Sequence, residues 1–302
     1  MNQARISKFT FSIALSISLL LSACSSLNTT QSEVTKINTA RKPVIALALG
    51  GGAARGFAHV GVIKMLEANG IKPDIVVGTS AGSVIAALYA TGLSGNELNQ
   101  IASNMNEASI TDWAMPFSNK FGGLIKGDAL QNEVNRLVGN RTIERMKIPL
   151  GIVSTDLQTG NSILFRRGDT GQAVRASCSV PGVFMPTNIG GREYVDGGLS
   201  SPVPIRSAKK MGADIVIAVN ISSEPSSQNY SGTLGVILQT TTIMGKSINT
   251  FELPLADILI QPELNSMKGT DFKSRNTAIL AGEVAAQMKI EEIKQKIARF
   301  GE

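Results

Sequence analysis

The chain has 302 residues, with 29 lysines and arginines against 23 aspartates and glutamates, a net charge of +6. The excess is small and dispersed, and no basic helix or aromatic-basic strip accompanies it, so no nucleic-acid partner is expected. Two cysteines and one histidine argue against a protein-built zinc site, and no metal or other cofactor is expected.

The N-terminus reads as a processed leader. Arg5 and Lys8 form a positive n-region, and Phe9–Leu21 is a mostly apolar run, short for a membrane span and suited to a signal peptide. It ends in Leu21-Ser22-Ala23-Cys24, which resembles a bacterial lipobox, where the cysteine becomes the acylated first residue. A plain secretory signal cut near the same place is the alternative. The leader reading divides the chain into a lipoprotein signal peptide (1–23), a flexible tether rich in Ser, Thr, Asn and Gln (24–42), and a domain over 43–302. Removing 23 of 302 residues leaves 279, enough for one large domain, and lowers the charge to +4, because the leader holds two bases and no acid. A mild positive charge suits an anionic membrane surface. With Ser25 after it, a lipidated Cys24 is expected to anchor the protein in the outer membrane of a Gram-negative bacterium, facing the periplasm, since several acyl chains on one residue give stable anchoring. Cys178 then has no partner for a disulfide within the chain. The oligomeric state is not legible.

Val44–Leu49 is a continuous apolar run ending in glycines, the pattern of a strand buried on both faces. Phe57–Ala68 has helical spacing and is closed by Asn69-Gly70. Asp74–Val77 reads as a second buried strand and Ala81–Thr91 as a second helix, stopped at Gly92. This alternation predicts a parallel sheet with right-handed crossovers. Further helices are predicted at Gly95–Met105, Ala129–Val138, Val203–Met211, Leu234–Asn249 and Asn276–Ala298. Further strands are predicted at Ile148–Ser154, Ser162–Arg166, Tyr194-Val195, Asp214–Val219 and Asp257–Ile260. The expected fold class is α/β, a three-layer α/β/α sandwich about a mostly parallel central sheet.

Two glycine motifs follow the first two strands. In Gly50-Gly51-Gly52-Ala53-Ala54-Arg55-Gly56 the lack of side chains lets backbone N–H groups face one point. A dinucleotide loop would need an acid at the end of the second strand, which instead ends in Gly78-Thr79-Ser80, and no Gly-Lys-Ser/Thr follows for a P-loop. The other reading is an oxyanion hole. Arg55 is expected to hold this loop through side-chain hydrogen bonds, or to meet a lipid phosphate. Gly78-Thr79-Ser80-Ala81-Gly82 has the G-x-S-x-G form of a nucleophile elbow. In that fold the histidine follows the serine, but His59 lies upstream and is expected to be structural, so either the elbow is not catalytic or another group activates Ser80.

Asp196-Gly197-Gly198 offers a carboxylate, although Asp-Gly is also an ordinary turn pair. Asp156 is the rival base, in a stretch that reads as an aspartate capping its own turn. Cys178, with no histidine nearby, reads as a small buried residue. Ser109–Gly127, with Trp113, Phe117 and Phe121 among lysines, reads as a lid, an acyl pocket or core filling.

Taken together, G-G-G-A-A-R-G (50–56), G-T-S-A-G (78–82) and V-D-G-G (195–198) resemble the patatin-like phospholipase family. T-D-L-Q-T-G (155–160) and A-S-C-S-V-P-G-V-F-M-P (176–186) resemble its bacterial single-domain branch. The resemblance runs from about Pro43 to near the C-terminus. It implies a patatin-like domain over 43–302 that hydrolyses acyl esters of phospholipids or lysophospholipids through a Ser–Asp dyad, without histidine. Carried over, Ser80 is the nucleophile, Asp196 its base, and the amides of Gly51, Gly52 and Ala53 the oxyanion hole. Gly78 and Gly82 are the elbow glycines, and Gly197 and Gly198 those of the dyad turn. Two other readings stay open: a carboxylesterase or thioesterase acting on small soluble esters, and a lipid-binding lipoprotein without turnover.

Overall fold

The computed structural model describes residues 41–104, 125–227, 231–264 and 267–301. The expected signal peptide, Cys24, the expected tether up to residue 40, and residues 109–124 of the stretch read as a lid, acyl pocket or core filling lie outside them.

Period-two alternation explains why the strands read as unbroken apolar runs. In β1 (Ile45–Leu49), Ile45, Leu47 and Leu49 join one buried cluster while Ala46 and Ala48 join another on the opposite face. The same split divides β2 (Ile75–Thr79), β3 (Leu150–Asp156) and β7 (Ile215–Val219). The first cluster packs beneath α1 (Ala58–Ala68), α2 (Ala81–Ala90), α3 (Gly95–Asn104), α4 (Asp128–Leu137), α5 (Thr170–Ser177), α8 (Arg275–Gln287) and α9 (Ile290–Ala298). The second, built on alanines and valines, is covered by the short α6 (Ile205–Lys210). The result is an α/β/α arrangement with one thick and one thin helical layer.

The central strands β3-β2-β1-β7-β8 are all parallel, with β8 at Ile258–Ile260. Three antiparallel strands complete the β3 side: β4 (Ser162–Phe165), β5 (Thr187–Ile189) and β6 (Arg192–Asp196). β4 runs along one edge of β3 and pairs with Ile152 to Thr155. On the other edge β3 has two partners in succession. β2 pairs with Leu150 to Val153, and β6, arriving from the opposite direction, pairs with Ser154 to Asp156. The C-terminal ends of β2 and β6 therefore meet head-on along a single strand.

Two elements were not expected. α5 is only two turns long, started by Asp169, whose side chain accepts the Gln172 N–H, and β5 has three residues. The single helix expected over Asn276–Ala298 is two, α8 and α9, parted at Met288 and Lys289 without a Gly or Pro to mark the break. The long α7 (Gly232–Glu252) extends its expected range at both ends.

Candidate active site

Ser80 stands at the turn from β2 into α2 with φ 51° and ψ −126°, a left-handed conformation that a serine rarely adopts. Such a residue costs on the order of 1–3 kcal/mol and persists only where its surroundings hold it. Here sterics do so. A side chain at Gly78 would run into Gly82, and one at Gly82 into the Leu49 carbonyl, so the elbow closes only with glycine at both positions. The Ser80 amide donates to Ser177 Oγ at 2.8 Å, and that hydroxyl donates in turn to the Val153 carbonyl, tying the elbow to β3.

The meeting of β2 and β6 supplies the second group. Thr79 pairs with Val153 and Asp196 with Ser154, consecutive positions of β3, which brings the aspartate to the serine. Ser80 Oγ donates to Asp196 Oδ2 at 2.7 Å, and the Gly198 N–H donates to Oδ1 at 2.7 Å. Gly197 fits because its missing side chain leaves room for the Val153 carbonyl. Asp196 is 6% exposed. Burial pushes its carboxyl up to about 6, against the opposing pull of the bonds from Ser80 and Gly198.

The glycine loop corrects two expectations. The Gly51 N–H donates to the Pro202 carbonyl at 3.0 Å, so it is committed elsewhere and is not free to face a reacting oxygen. Gly51 instead lies flat against the nucleophile; a Cβ there would sit 3.1 Å from Ser80 Cβ. The next two amides, of Gly52 and Ala53, have no partner among the described residues. Ala53 adopts φ 50°, which turns the chain into the short 3-10 helix Ala53–Phe57.

Arg55 does not hold the loop. Its guanidinium makes no hydrogen bond among the described residues, its Nε is buried without a partner, and burial alone lowers it to about 10. Anchoring falls to Gly50 N–H on Val219 O, Ala54 N–H on Gly269 O, and His59. The fully buried His59 sits with Nε2 2.8 Å from the Gly50 carbonyl, which can only accept, so Nε2 carries the proton. Burial lowers His59 to about 4, keeping it neutral.

Asp156 is occupied in its own turn. Its Oδ1 accepts the Gln158 and Thr159 amides and the Thr159 hydroxyl, and its Oδ2 pairs with Arg192 at 2.8 Å. Cys178 was expected only as packing, yet it lies beside the nucleophile, with Sγ 4.0 Å from Ser83 Oγ. Burial first, and then the nearby Asp196 charge, push its thiol well above the ordinary range, so it stays protonated.

Two cavities open from Ser80. One, of about 380 Å³, is edged by Gly52, Arg55, Asp196 and Lys268 and roofed by Thr241 and Gly245 of α7. The other, of about 110 Å³, is apolar, lined by Phe57, Val84, Ile85, Leu130, Phe184 and Phe272. Among the described residues no cluster of His, Cys, Asp or Glu is arranged to hold a metal.

Comparison with known proteins bears on the family and the fold. An uncharacterised NTE family protein of Mycobacterium tuberculosis is 35% identical over 187 residues, covering 62% of this chain and 51% of its own. Patatin-like phospholipase domain-containing protein 6 of Mus musculus is 32% identical over 224 residues, which is 73% of this chain and 16% of that protein. The chain thus spans about half the length of the mycobacterial relative and far less of the mouse one. VipD from Legionella pneumophila shares the fold, with a TM-score of 0.56 at 13% identity, over 83% of this chain and 67% of that one. The patatin-like phospholipase family model matches residues 47–209, which include the glycine loop, the elbow and the Asp-Gly-Gly turn. Because that match spans more than half of the 302 residues, the chain belongs to the patatin-like phospholipase family.

Proposed function

We propose that the chain is a serine hydrolase that cleaves acyl esters of phospholipids or lysophospholipids. The observation that carries this reading is the 2.7 Å hydrogen bond from Ser80 Oγ to a buried Asp196 beside two unengaged amides. Ser80 attacks the ester carbonyl while its proton passes to Asp196. The carbonyl oxygen becomes negative and is met by the Gly52 and Ala53 amides. The tetrahedral intermediate then expels the alkoxide, which takes the proton back from Asp196, leaving an acyl-serine. Water repeats the sequence to free the acid and restore Ser80. A carboxylate near 6 is a better base at neutral pH than an ordinary aspartate, and an ester needs less help in leaving than an amide.

The two cavities support a lipid substrate over a small soluble ester. The apolar one suits the start of an acyl chain, and the larger one offers Arg55 and Lys268 to a phosphorylated head. A lipid-binding role without turnover has no need of a strained serine bonded to a buried carboxylate. A fluorophosphonate probe should label the wild type and not Ser80→Ala, and product analysis on mixed bacterial phospholipids should find free fatty acid. Labelling without any lipid product, together with rapid turnover of soluble esters, would favour the esterase reading.

His59 takes no part in the proton transfer of this scheme. His59→Gln keeps a donor for the Gly50 carbonyl and should retain most turnover. His59→Leu leaves that carbonyl unpaired and should lose about 1–3 kcal/mol of stability, read by thermal melts. A folded but inactive His59→Gln would make the histidine essential.

The anchoring expected from the leader belongs to the same proposal. Lipidated Cys24 would hold the enzyme at the periplasmic face of the outer membrane. Globomycin or Cys24→Ala should leave unprocessed precursor, whereas normal processing to a soluble mature form would remove the anchor from the scheme.

A further inference from the structure

α7 has two unlike sides. Leu238, Thr241, Thr242 and Gly245 line the larger cavity at Ser80, and Asn249 and Glu252 are buried below them. The opposite side carries Val236, Thr240, Ile243, Ser247 and Thr250 at alternating steps of four and three, flanked by Met244 and Phe251. Val236 is 54% exposed, Ile243 50% and Phe251 74%, so this stripe is not core. It contains no charged residue. The charges of the helix lie off it, Lys246 paired with Glu224 and Glu252 with Arg206.

The hydroxyls of the stripe are engaged by the helix's own carbonyls. Thr240 Oγ1 donates to the Val236 carbonyl at 2.8 Å, Ser247 Oγ to Ile243 at 3.2 Å, and Thr250 Oγ1 to Lys246 at 3.1 Å. Each donor is satisfied inside the helix, so the face can leave water without an unmet N–H or O–H. A side made to bind a polar partner would leave such groups outward. No helix among the described residues is long and apolar enough to cross a membrane, so a bilayer would be met along the helix axis, not spanned.

The N-terminal end of the helix borders the mouth of the site. The first turn of α7 meets the loop after α5, where Leu234 lies against Gly182. That loop supplies Val180 to both cavities and leaves Met185 exposed. We infer that the outer face of α7 is an interfacial docking surface that lies in the acyl boundary of a phospholipid bilayer and brings the Ser80 cavities to the headgroup level. The inference rests on the lipid-hydrolase reading for its occupant.

The test uses the full chain and vesicles of phosphatidylethanolamine and phosphatidylglycerol. In Ile243→Trp, with the parent spectrum subtracted for Trp113, vesicles should shift the emission to the blue, and lipids brominated along the acyl chain should quench it. An N-terminal anchor alone would not carry position 243 into the acyl region. The pair Val236→Glu and Ile243→Glu should lower kcat/KM on vesicles about tenfold or more, while p-nitrophenyl butyrate is hydrolysed within about twofold of wild type. An unshifted, unquenched tryptophan in a protein that still hydrolyses vesicle lipid would overturn the inference. So would a wild-type dimer that the double variant turns into a monomer, since a second copy would then be the occupant. If neither ester is hydrolysed, the lipid-hydrolase reading fails, and the quenching alone decides whether the face enters the bilayer.

Discussion

Ser80→Ala and Asp196→Asn are each expected to lower kcat/KM by about a thousandfold or more, with the double variant little worse than either. The two side chains act as one unit through a single 2.7 Å bond, so losing either leaves only binding and the loop amides. The wild-type pH profile should carry an acid limb with a midpoint near 6, where Asp196 must lose its proton to accept one, and no limb from His59. Stability should move the opposite way. A carboxyl raised to about 6 favours the folded state only while protonated, so its contribution is full below its ordinary value of 3.8 and is lost as pH rises through 6. Asp196→Asn should therefore melt higher than wild type at pH 8, by on the order of 2–3 kcal/mol, with the gap closing by pH 4. An active Asp196→Asn, or one less stable than wild type at pH 8, would remove Asp196 as the buried base.

Gly51→Val is the second large effect, on the order of a hundredfold or more in kcat with a smaller change in KM. The reason is closeness, since the Gly51 amide already serves the Pro202 carbonyl. A Cβ only 3.1 Å from Ser80 Cβ, with valine's methyls beyond it, forces the elbow and the loop backbones apart, and the Gly52 and Ala53 amides move with the loop. Gly51→Ala should fall between valine and wild type. Steady-state kinetics on a soluble ester, beside circular dichroism for the fold, measure both variants. Full activity in a folded Gly51→Val would mean that the loop does not approach the reacting carbonyl.

The elbow was legible because its requirements are local: Gly78 and Gly82 are demanded by atoms within a few residues or at the end of β1. Asp196 was legible only as a motif. What joins it to Ser80 is the register of β3, which no short stretch of sequence contains. The free amides of the loop shared that difficulty, since Pro202, far along the chain, decides that Gly51 is taken. Arg55 looked like a side chain with nearby partners and proved to be a buried cation lacking them among the described residues. The buried parallel strands declared themselves by unbroken apolar runs, whereas α5 and β5 are too short for a period to show. α7 was visible as a helix, but its apolar residues read the same whether they face a core or a lipid.

The head-on junction of β2 and β6 bears on how the molecule comes to be active. Neither strand touches the other through a ladder; β3 is the strand they share, and it sets their alignment to one another. Before β6 returns across the β4 hairpin and α5, the chain can hold a complete parallel core with a finished elbow and no base. Turnover should then be lost in milder denaturant than the far-ultraviolet helix signal, because β6 can leave β3 without unpairing any of the parallel strands.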